Sequence, residues 1–159
     1  MKRISIVLSV MTAACASTVQ VPANLEPGAN ESLARIVPAK GVQIYECRDA
    51  KWAFVAPEAE LFDRAGKKIG THYAGPHWEA ADGSKVVGAV KARADAPGEG
   101  NIPWLLLGAK SVGNDGAFSR VTSIQRVATA GGVAPAGACS SGKRISVPYT
   151  ADYYFYTAK

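Results

Sequence analysis

The sequence predicts an all-β protein, a single antiparallel sandwich or barrel-like domain with at most one or two short helices. Short segments rich in β-branched and aromatic residues recur, and turn residues separate them about every ten positions. The 159-residue chain has 16 glycines and 9 prolines, more than globular proteins usually carry. No segment keeps a sustained helical period, so the extra glycine and proline are best read as turns between strands.

Five strands are predicted in the first half of the body, two of them in a hairpin. The segment 41–47 alternates apolar and polar residues, and 51–55 places Trp52 and Phe54 on one face. Residues 61–73 read as a hairpin with a glycine-containing turn at 63–66. Asp82-Gly83 is the strongest short turn signal in the chain, and a strand over 85–92 follows it.

The second half contains three further predicted strands. The continuous apolar run 102–107 is typical of a strand that is covered on both faces. The segment 118–129 has an ambiguous spacing of three, but its β-branched residues favour a strand with a bulge. The aromatic segment 146–156 predicts a long final strand. A short helix fits only around 31–36 or 58–61.

The first sixteen residues have the order of a signal peptide. Lys2 and Arg3 form a basic start, an apolar run follows, and small residues end the segment. Ala14-Cys15-Ala16 fits cleavage after Ala16, whereas residues 12–15 resemble a lipobox in which Cys15 becomes lipid-modified. We therefore expect a secreted or periplasmic protein, with lipid anchoring in the cell envelope through Cys15 as the alternative.

This interpretation divides the chain into three parts. Residues 1–16 form the signal peptide, 17–30 an extended leader and 31–159 a single β domain. No stretch reaches the roughly 18 consecutive apolar residues that a transmembrane helix needs, so no transmembrane segment is predicted.

The charge balance does not indicate a nucleic-acid partner. The formal net charge is +5, and two of the basic residues lie in the predicted signal peptide. Beyond it, the basic residues form no cluster longer than the pairs Lys67-Lys68 and Lys143-Arg144. A nucleic-acid binder masses basic residues on one face, so this class is excluded.

The three cysteines predict one disulfide bond. If Cys15 is removed or lipidated, Cys47 and Cys139 remain, and export places them in an oxidising compartment. The alternatives are two separate buried thiols or a metal site. A metal site fits less well, because neither a Cys-x-x-Cys motif nor a neighbouring histidine accompanies the cysteines.

The best candidate for a ligand-binding site is the polar segment 72–84. Its turn residues favour a loop, and Trp78 beside Gly75-Pro76 is the tryptophan most suited to an exposed, ligand-stacking position. Trp104, next to three leucines, is expected in the core. The candidate ligand-binding residues are His72, Tyr73, His77, Trp78, Glu79, Asp82 and Ser84.

Enzymatic interpretations of the same segment remain as alternatives. The two histidines with Glu79 or Asp82 could supply metal ligands, but Gly75-Pro76 makes their geometry unreadable. Residue types alone also allow a Ser84-His77-Asp82 hydrolase triad or a Glu79/Asp82 glycosidase pair. None of these has its usual sequence signature, so we assign no catalytic residue, no metal ligand and no cofactor.

Taken together, the segments resemble a known exported family of bacteria and fungi, the domain of unknown function 3455. The resemblance rests on 41–47, 75–84, 102–107, 124–132 and 149–156, together with Cys139, and it covers about residues 19–156. It implies an extracytoplasmic β domain with both Cys47 and Cys139 in its pattern. It implies no activity.

The leading functional hypothesis is therefore a non-enzymatic exported β domain that binds a small molecule, a glycan or an envelope component. A hydrolase or metal-dependent enzyme that uses 72–84 is the second hypothesis. A purely structural envelope protein is the third.

Overall fold

A computed structural model describes residues 19–159. It contains one 3-10 turn, Ala23–Leu25, and eight β-strands. The strands are β1 (Glu31–Arg48), β2 (Lys51–Phe62), β3 (Lys68–Tyr73), β4 (His77–Ala80), β5 (Lys85–Ala94), β6 (Trp104–Ser111), β7 (Val121–Gly131) and β8 (Arg144–Ala158). The predicted signal peptide and the lipidation alternative at Cys15 lie outside the described residues.

The strands form a closed antiparallel barrel in which each strand pairs with its neighbours in the sequence. β8 pairs with β1 over nearly the whole length of both strands, from Glu31 opposite Ala158 to Glu46 opposite Arg144. This pairing closes the barrel and leaves no free sheet edge between the first and the last strand. The all-β prediction is confirmed, and the architecture is the barrel rather than the sandwich.

Neither of the two segments considered for a short helix is helical. Residues 31–36 open β1, and 58–61 lie within β2. Both segments pair with a partner strand, which satisfies their backbone groups without a helix. The only helical turn in the described part of the chain is Ala23–Leu25, where Leu25 is fully buried.

The interior of the barrel is packed with large apolar side chains over much of its length. Trp78, Tyr153, Phe118 and Phe155 are its largest members, and each is at most 1% exposed. Since side chains alternate across a strand, the intervening residues face outward. β6 is covered on both faces, as its apolar run predicts: Leu107 packs inside, and Trp104 packs outside against the segment that contains Leu25.

The predicted disulfide is confirmed. Cys47 at the end of β1 is bonded to Cys139 in the connection between β7 and β8. The Tyr45 hydroxyl adds a second tie, because it donates a hydrogen bond to the Gly132 carbonyl oxygen at 2.6 Å. Together they fasten this connection to one end of the barrel.

Turns alternate between the two ends in a barrel of this topology. The connections 49–50, 74–76, 95–103 and 132–143 share one end, which we call the mouth. No helix among residues 19–159 has the length and apolar character needed to cross a membrane.

The wall of the barrel is incomplete near the mouth. β2 pairs with β3 only from Ala59 to Phe62, and β4 pairs with β5 only from Lys85 to Val87. The short β3–β4 hairpin therefore ends before the strands on either side of it. A gap remains between β2 and β5, above the turn at Gly75-Pro76.

Candidate functional site

A cavity of about 430 Å³ lies inside the barrel behind this gap. That volume lies within the range of pockets that hold small ligands, roughly 300–1,000 Å³. Antiparallel barrels of about eight strands are wide enough either to fill with side chains or to hold one small ligand. This barrel does both, because its core is packed at one end and open at the other. The apolar part of the cavity lining comprises Phe54, Val55, Pro57, Pro76, Val90, Leu105 and Leu107.

Two apolar side chains stand at the opening of the cavity. Phe54 on β2 is 52% exposed and Val90 on β5 is 59% exposed, and both line the cavity. They lie on the two strands that border the gap in the wall. Exposed apolar residues that border a concave site are typical of a surface that a ligand covers.

Arg126 brings a positive charge into this apolar space. It faces inward from β7 between Leu105 on β6 and Tyr153 on β8, its partners in the neighbouring strands. Its Nε and Nη2 atoms donate hydrogen bonds to the Pro103 carbonyl oxygen at 3.1 and 2.8 Å. These bonds fix the side chain and use two of the five N–H groups of the guanidinium.

Two buried hydrogen-bond donors in the cavity lining have no partner in the described part of the chain. They are Nε2 of Gln43, on β1, and Nε1 of Trp78, on β4. Gln43 is 2% exposed and lies near the Tyr149 hydroxyl without a hydrogen bond of ordinary geometry. An unpaired buried donor costs about 1–3 kcal/mol, so such groups in a cavity lining are candidates for contact with a ligand.

His72 lies in the same interior and is held neutral. Its ring stacks on Trp78 at 4.2 Å between ring centroids and meets Tyr153 edge-on at 5.2 Å. Its Nδ1 donates a hydrogen bond to the His77 carbonyl oxygen at 2.8 Å, which leaves Nε2 as an acceptor. Burial lowers the pKa of His72 to about 3, and the nearby Arg126 charge acts in the same direction.

The structure divides the predicted site residues between the two faces of the barrel wall. His72 and Trp78 face inward and line the cavity. Tyr73, His77 and Glu79 face outward, since they alternate with the inward residues. The expectation that Trp78 is exposed was wrong: it is 1% exposed and packs over Gly88, where a Cβ atom would lie 2.7 Å from the indole ring. Trp104 is buried, as expected.

The outward-facing residues form a cluster of their own. The Tyr73 hydroxyl donates a short hydrogen bond to Glu79, and Lys85 lies 3.5 Å from the same carboxylate. The hydrogen bond from Tyr73 lowers the pKa of Glu79. The His77 ring stacks on Tyr73 and donates to the Ala74 carbonyl oxygen at 2.7 Å.

The turn before the His77 ring admits only glycine. A Cβ atom at Gly75, where φ is +127°, would lie 2.0 Å from His77 Nδ1. The His77 ring therefore packs closely against this turn.

Asp82 and Ser84 form a hydrogen-bonded cluster at the end of the barrel opposite the mouth, and we call this cluster the clamp because it joins two connections between strands. Asp82 accepts hydrogen bonds from the Ser84 backbone N–H, the Ser84 hydroxyl and the Ala117 N–H, at 2.6–2.9 Å. The Ser84 hydroxyl in turn accepts one from the Phe118 N–H at 3.0 Å. These bonds lower the pKa of Asp82 to about 2 and join the β4–β5 turn to the β6–β7 connection.

The structure does not assemble the metal and hydrolase alternatives: Asp82 and Ser84 are hydrogen-bonded to each other, but the His77 ring is bonded to the Ala74 carbonyl oxygen instead. His72 and His77 lie on opposite faces of the wall, and Asp82 is bound in the clamp. Within residues 19–159, no group of three or more histidine, cysteine, aspartate or glutamate residues could hold a metal ion.

Comparison with known families identifies the chain. The family model for the Protein of unknown function (DUF3455) matches residues 27–157. The chain belongs to this family. The match confirms the resemblance seen in the sequence and spans all eight strands apart from the last residue of β8. No curated protein and no solved structure matches the chain.

Sequence reasoning on this DUF3455 domain missed most of the cavity lining. Gln43, Arg126 and Tyr153 come from three strands that are far from 72–84 in the chain, and only the closure of the barrel brings them together. One signal was available for Arg126. It lies two residues after the buried Ile124, so alternation places a charged side chain on the apolar face of β7.

Proposed function

We propose that this protein is an exported binding protein that holds a small molecule inside its barrel. The observation that supports the proposal best is the cavity behind the gap in the wall. Its lining combines an apolar rim with a few polar groups, the combination that small-molecule sites typically show. The proposed site is therefore the interior near the mouth rather than the segment 72–84 as a whole. Of the seven candidate residues in that segment, only His72 and Trp78 line the cavity.

Two observations support export. The order of residues in 1–16 is that of a signal peptide, and the Cys47–Cys139 disulfide is typical of proteins in oxidising compartments. Cleavage after Ala16 would release a secreted or periplasmic protein. Lipid modification of Cys15 would instead hold the same barrel at the cell envelope.

Binding of a neutral apolar dye tests the proposal. N-phenylnaphthylamine is weakly fluorescent in water and becomes bright in an apolar site, so titration of the mature protein reports occupancy of the cavity. We expect saturable binding. We also expect Val90→Asp to weaken it about tenfold, because a charge at the rim removes apolar contact area and adds a desolvation cost.

Val112→Asp is the matched control. Val112 is also an exposed valine, 47% exposed, but it follows β6 at the end of the barrel opposite the mouth. The control should bind the dye as the wild type does. Absence of saturable binding, or equal affinities for the wild type and Val90→Asp, would overturn the proposal.

A further inference from the structure

We infer that the cavity selects a small carboxylate with an apolar body, with its carboxylate against Arg126 and its body towards Phe54 and Val90. This inference rests on the proposed function, because it names the chemical class of the ligand that the same cavity holds. Three features of the lining carry it: the charge of Arg126, the unpaired donors around it and the position of the apolar rim.

The charge of Arg126 has no counter-ion in the described part of the chain. The ion pairs there involve Arg48, Lys68, Lys85 and Arg144 only, and no acidic side chain lines the cavity. A cation held in an apolar interior is costly unless an opposite charge accompanies it. Because Arg126 is anchored to the Pro103 carbonyl oxygen, it cannot leave the cavity without losing two hydrogen bonds.

Gln43 and Trp78 add N–H donors to the lining, whereas the neutral His72 ring adds one acceptor, Nε2. Gln43 Nε2 and Trp78 Nε1 are buried N–H donors without partners in the described residues, and Arg126 keeps three N–H groups beyond those bonded to Pro103. A carboxylate is an acceptor only, with two oxygens and about four lone-pair sites. It therefore matches a set of donors that a neutral alcohol satisfies much less completely.

The balance of charge favours a ligand with a single negative charge. Arg126 is the one cationic side chain among the cavity-lining residues, since His72 remains neutral at physiological pH. One carboxylate balances this charge, whereas a doubly charged phosphate would leave an excess negative charge in an apolar space. The apolar rim at Phe54 and Val90 then covers the hydrocarbon part of the ligand at the opening.

Two matched pairs of compounds test this inference. Decanoate is compared with decanol, and phenylbutyrate with phenylbutanol, by calorimetric titration of the mature protein at neutral pH. The members of each pair differ in their head group and share an apolar body. We expect each carboxylate to bind at least tenfold more tightly than its alcohol, the effect of losing a charge-assisted hydrogen bond.

Substitution of Arg126 identifies the source of the selectivity. Arg126→Gln should weaken carboxylate binding at least tenfold and leave alcohol binding within about twofold. Arg126→Lys keeps the charge and should retain part of the preference. Arg120→Gln is the matched control, because Arg120 is exposed at the end opposite the mouth. Gln43→Leu should weaken carboxylate binding several-fold without any change in charge.

The outcomes separate the two proposals. Equal affinities for carboxylate and alcohol in the wild type would overturn the inference and leave the small-molecule proposal standing. An equal loss for both compounds in Arg126→Gln would overturn it as well. If neither pair of compounds binds and the neutral dye does not bind, both the inference and the proposed function fail. The comparison within the wild type depends on no variant, so it stands even where a substitution prevents folding.

Discussion

The fold strongly changes the acid–base chemistry of His72. His72 is 3% exposed and lies between Trp78 and Tyr153, and its Nδ1 donates a hydrogen bond to the His77 carbonyl oxygen, which an amide N–H could also satisfy. Protonation would place a second cation beside Arg126 in an apolar space. The folded state therefore excludes a proton that the unfolded state accepts, and this difference links stability to pH.

The protein should lose stability as the pH falls below the pKa of histidine in the unfolded chain, about 6.5. Because the pKa of His72 is lowered to about 3 in the folded state, its contribution is complete above pH 6.5 and is lost progressively down to pH 3. Between pH 7 and pH 5, the free energy of unfolding should fall by about 2 kcal/mol. Urea denaturation at the two pH values measures this change.

His77→Gln is the control for this experiment, since the His77 ring lies on the outer face, and it should show the same fall. His72→Gln should remove most of the fall. If the free energy of unfolding of His72→Gln still falls between pH 7 and pH 5, another group causes the pH dependence. NMR signals of the His72 ring in the wild type give an independent readout, because they should not titrate between pH 7 and pH 5.

The β1–β2 hairpin near the mouth combines regular strand pairing with local backbone strain. Arg48 and Lys51 are paired, so the β1–β2 connection is the two-residue turn Asp49-Ala50, with φ values of +50° and +58°. Positive φ at both positions is typical of a type I′ turn, which favours Asn-Gly or Asp-Gly. Aspartate suits the first position. Alanine in the second carries the steric cost of a left-handed conformation, about 1 kcal/mol.

Ala50→Gly should therefore stabilise the protein by about 0.5–1 kcal/mol, since the relief of strain exceeds the added entropy of the unfolded chain. The midpoint of urea denaturation should rise with an unchanged slope. Ala89→Gly is the matched control in β5, where φ is not positive, and it should destabilise by a similar amount. A lower midpoint for Ala50→Gly would show that this turn is not strained.

Comparison of the observed strands with those predicted shows which structural features local sequence patterns determine. Local patterns located most of the strands and the Asp82-Gly83 turn, because each depends on neighbouring residues, but they predicted a loop where β4 lies. They missed the first ten residues of β1, since Leu33 and Ile36 suit a helix equally well and only pairing with β8 settles the conformation. They placed Trp78 at the surface for the same reason: the inward face of β4 is defined by strands elsewhere in the chain.

For the whole molecule, closure of the barrel and the disulfide act together. Pairing of β8 with β1 closes the eight strands into one continuous wall. The Cys47–Cys139 bond holds the longest connection at the mouth, between β7 and β8, against the end of β1. The sequence predicted this bond but not its position at the mouth of the barrel. The packed end, by contrast, is held by the hydrogen bonds of Asp82 and Ser84. The two ends of the barrel are therefore stabilised by different chemistry.

Loss of the disulfide should destabilise the protein strongly. The bond joins residues 92 positions apart, and closing a loop of that length in the unfolded chain corresponds to about 4.5 kcal/mol in the chain-entropy model. The double variant Cys47→Ser/Cys139→Ser should show a much lower midpoint in urea. It should also show a steeper slope, because its unfolded state is less compact and exposes more surface.

Reduction provides the matched comparison. A reducing agent should lower the stability of the wild type to that of the double variant and leave the double variant unchanged. A thiol count on the mature protein cleaved after Ala16 should find no free thiol before reduction and two after denaturation and reduction. Two free thiols in the native exported protein would contradict the bond, and with it one of the two supports for export.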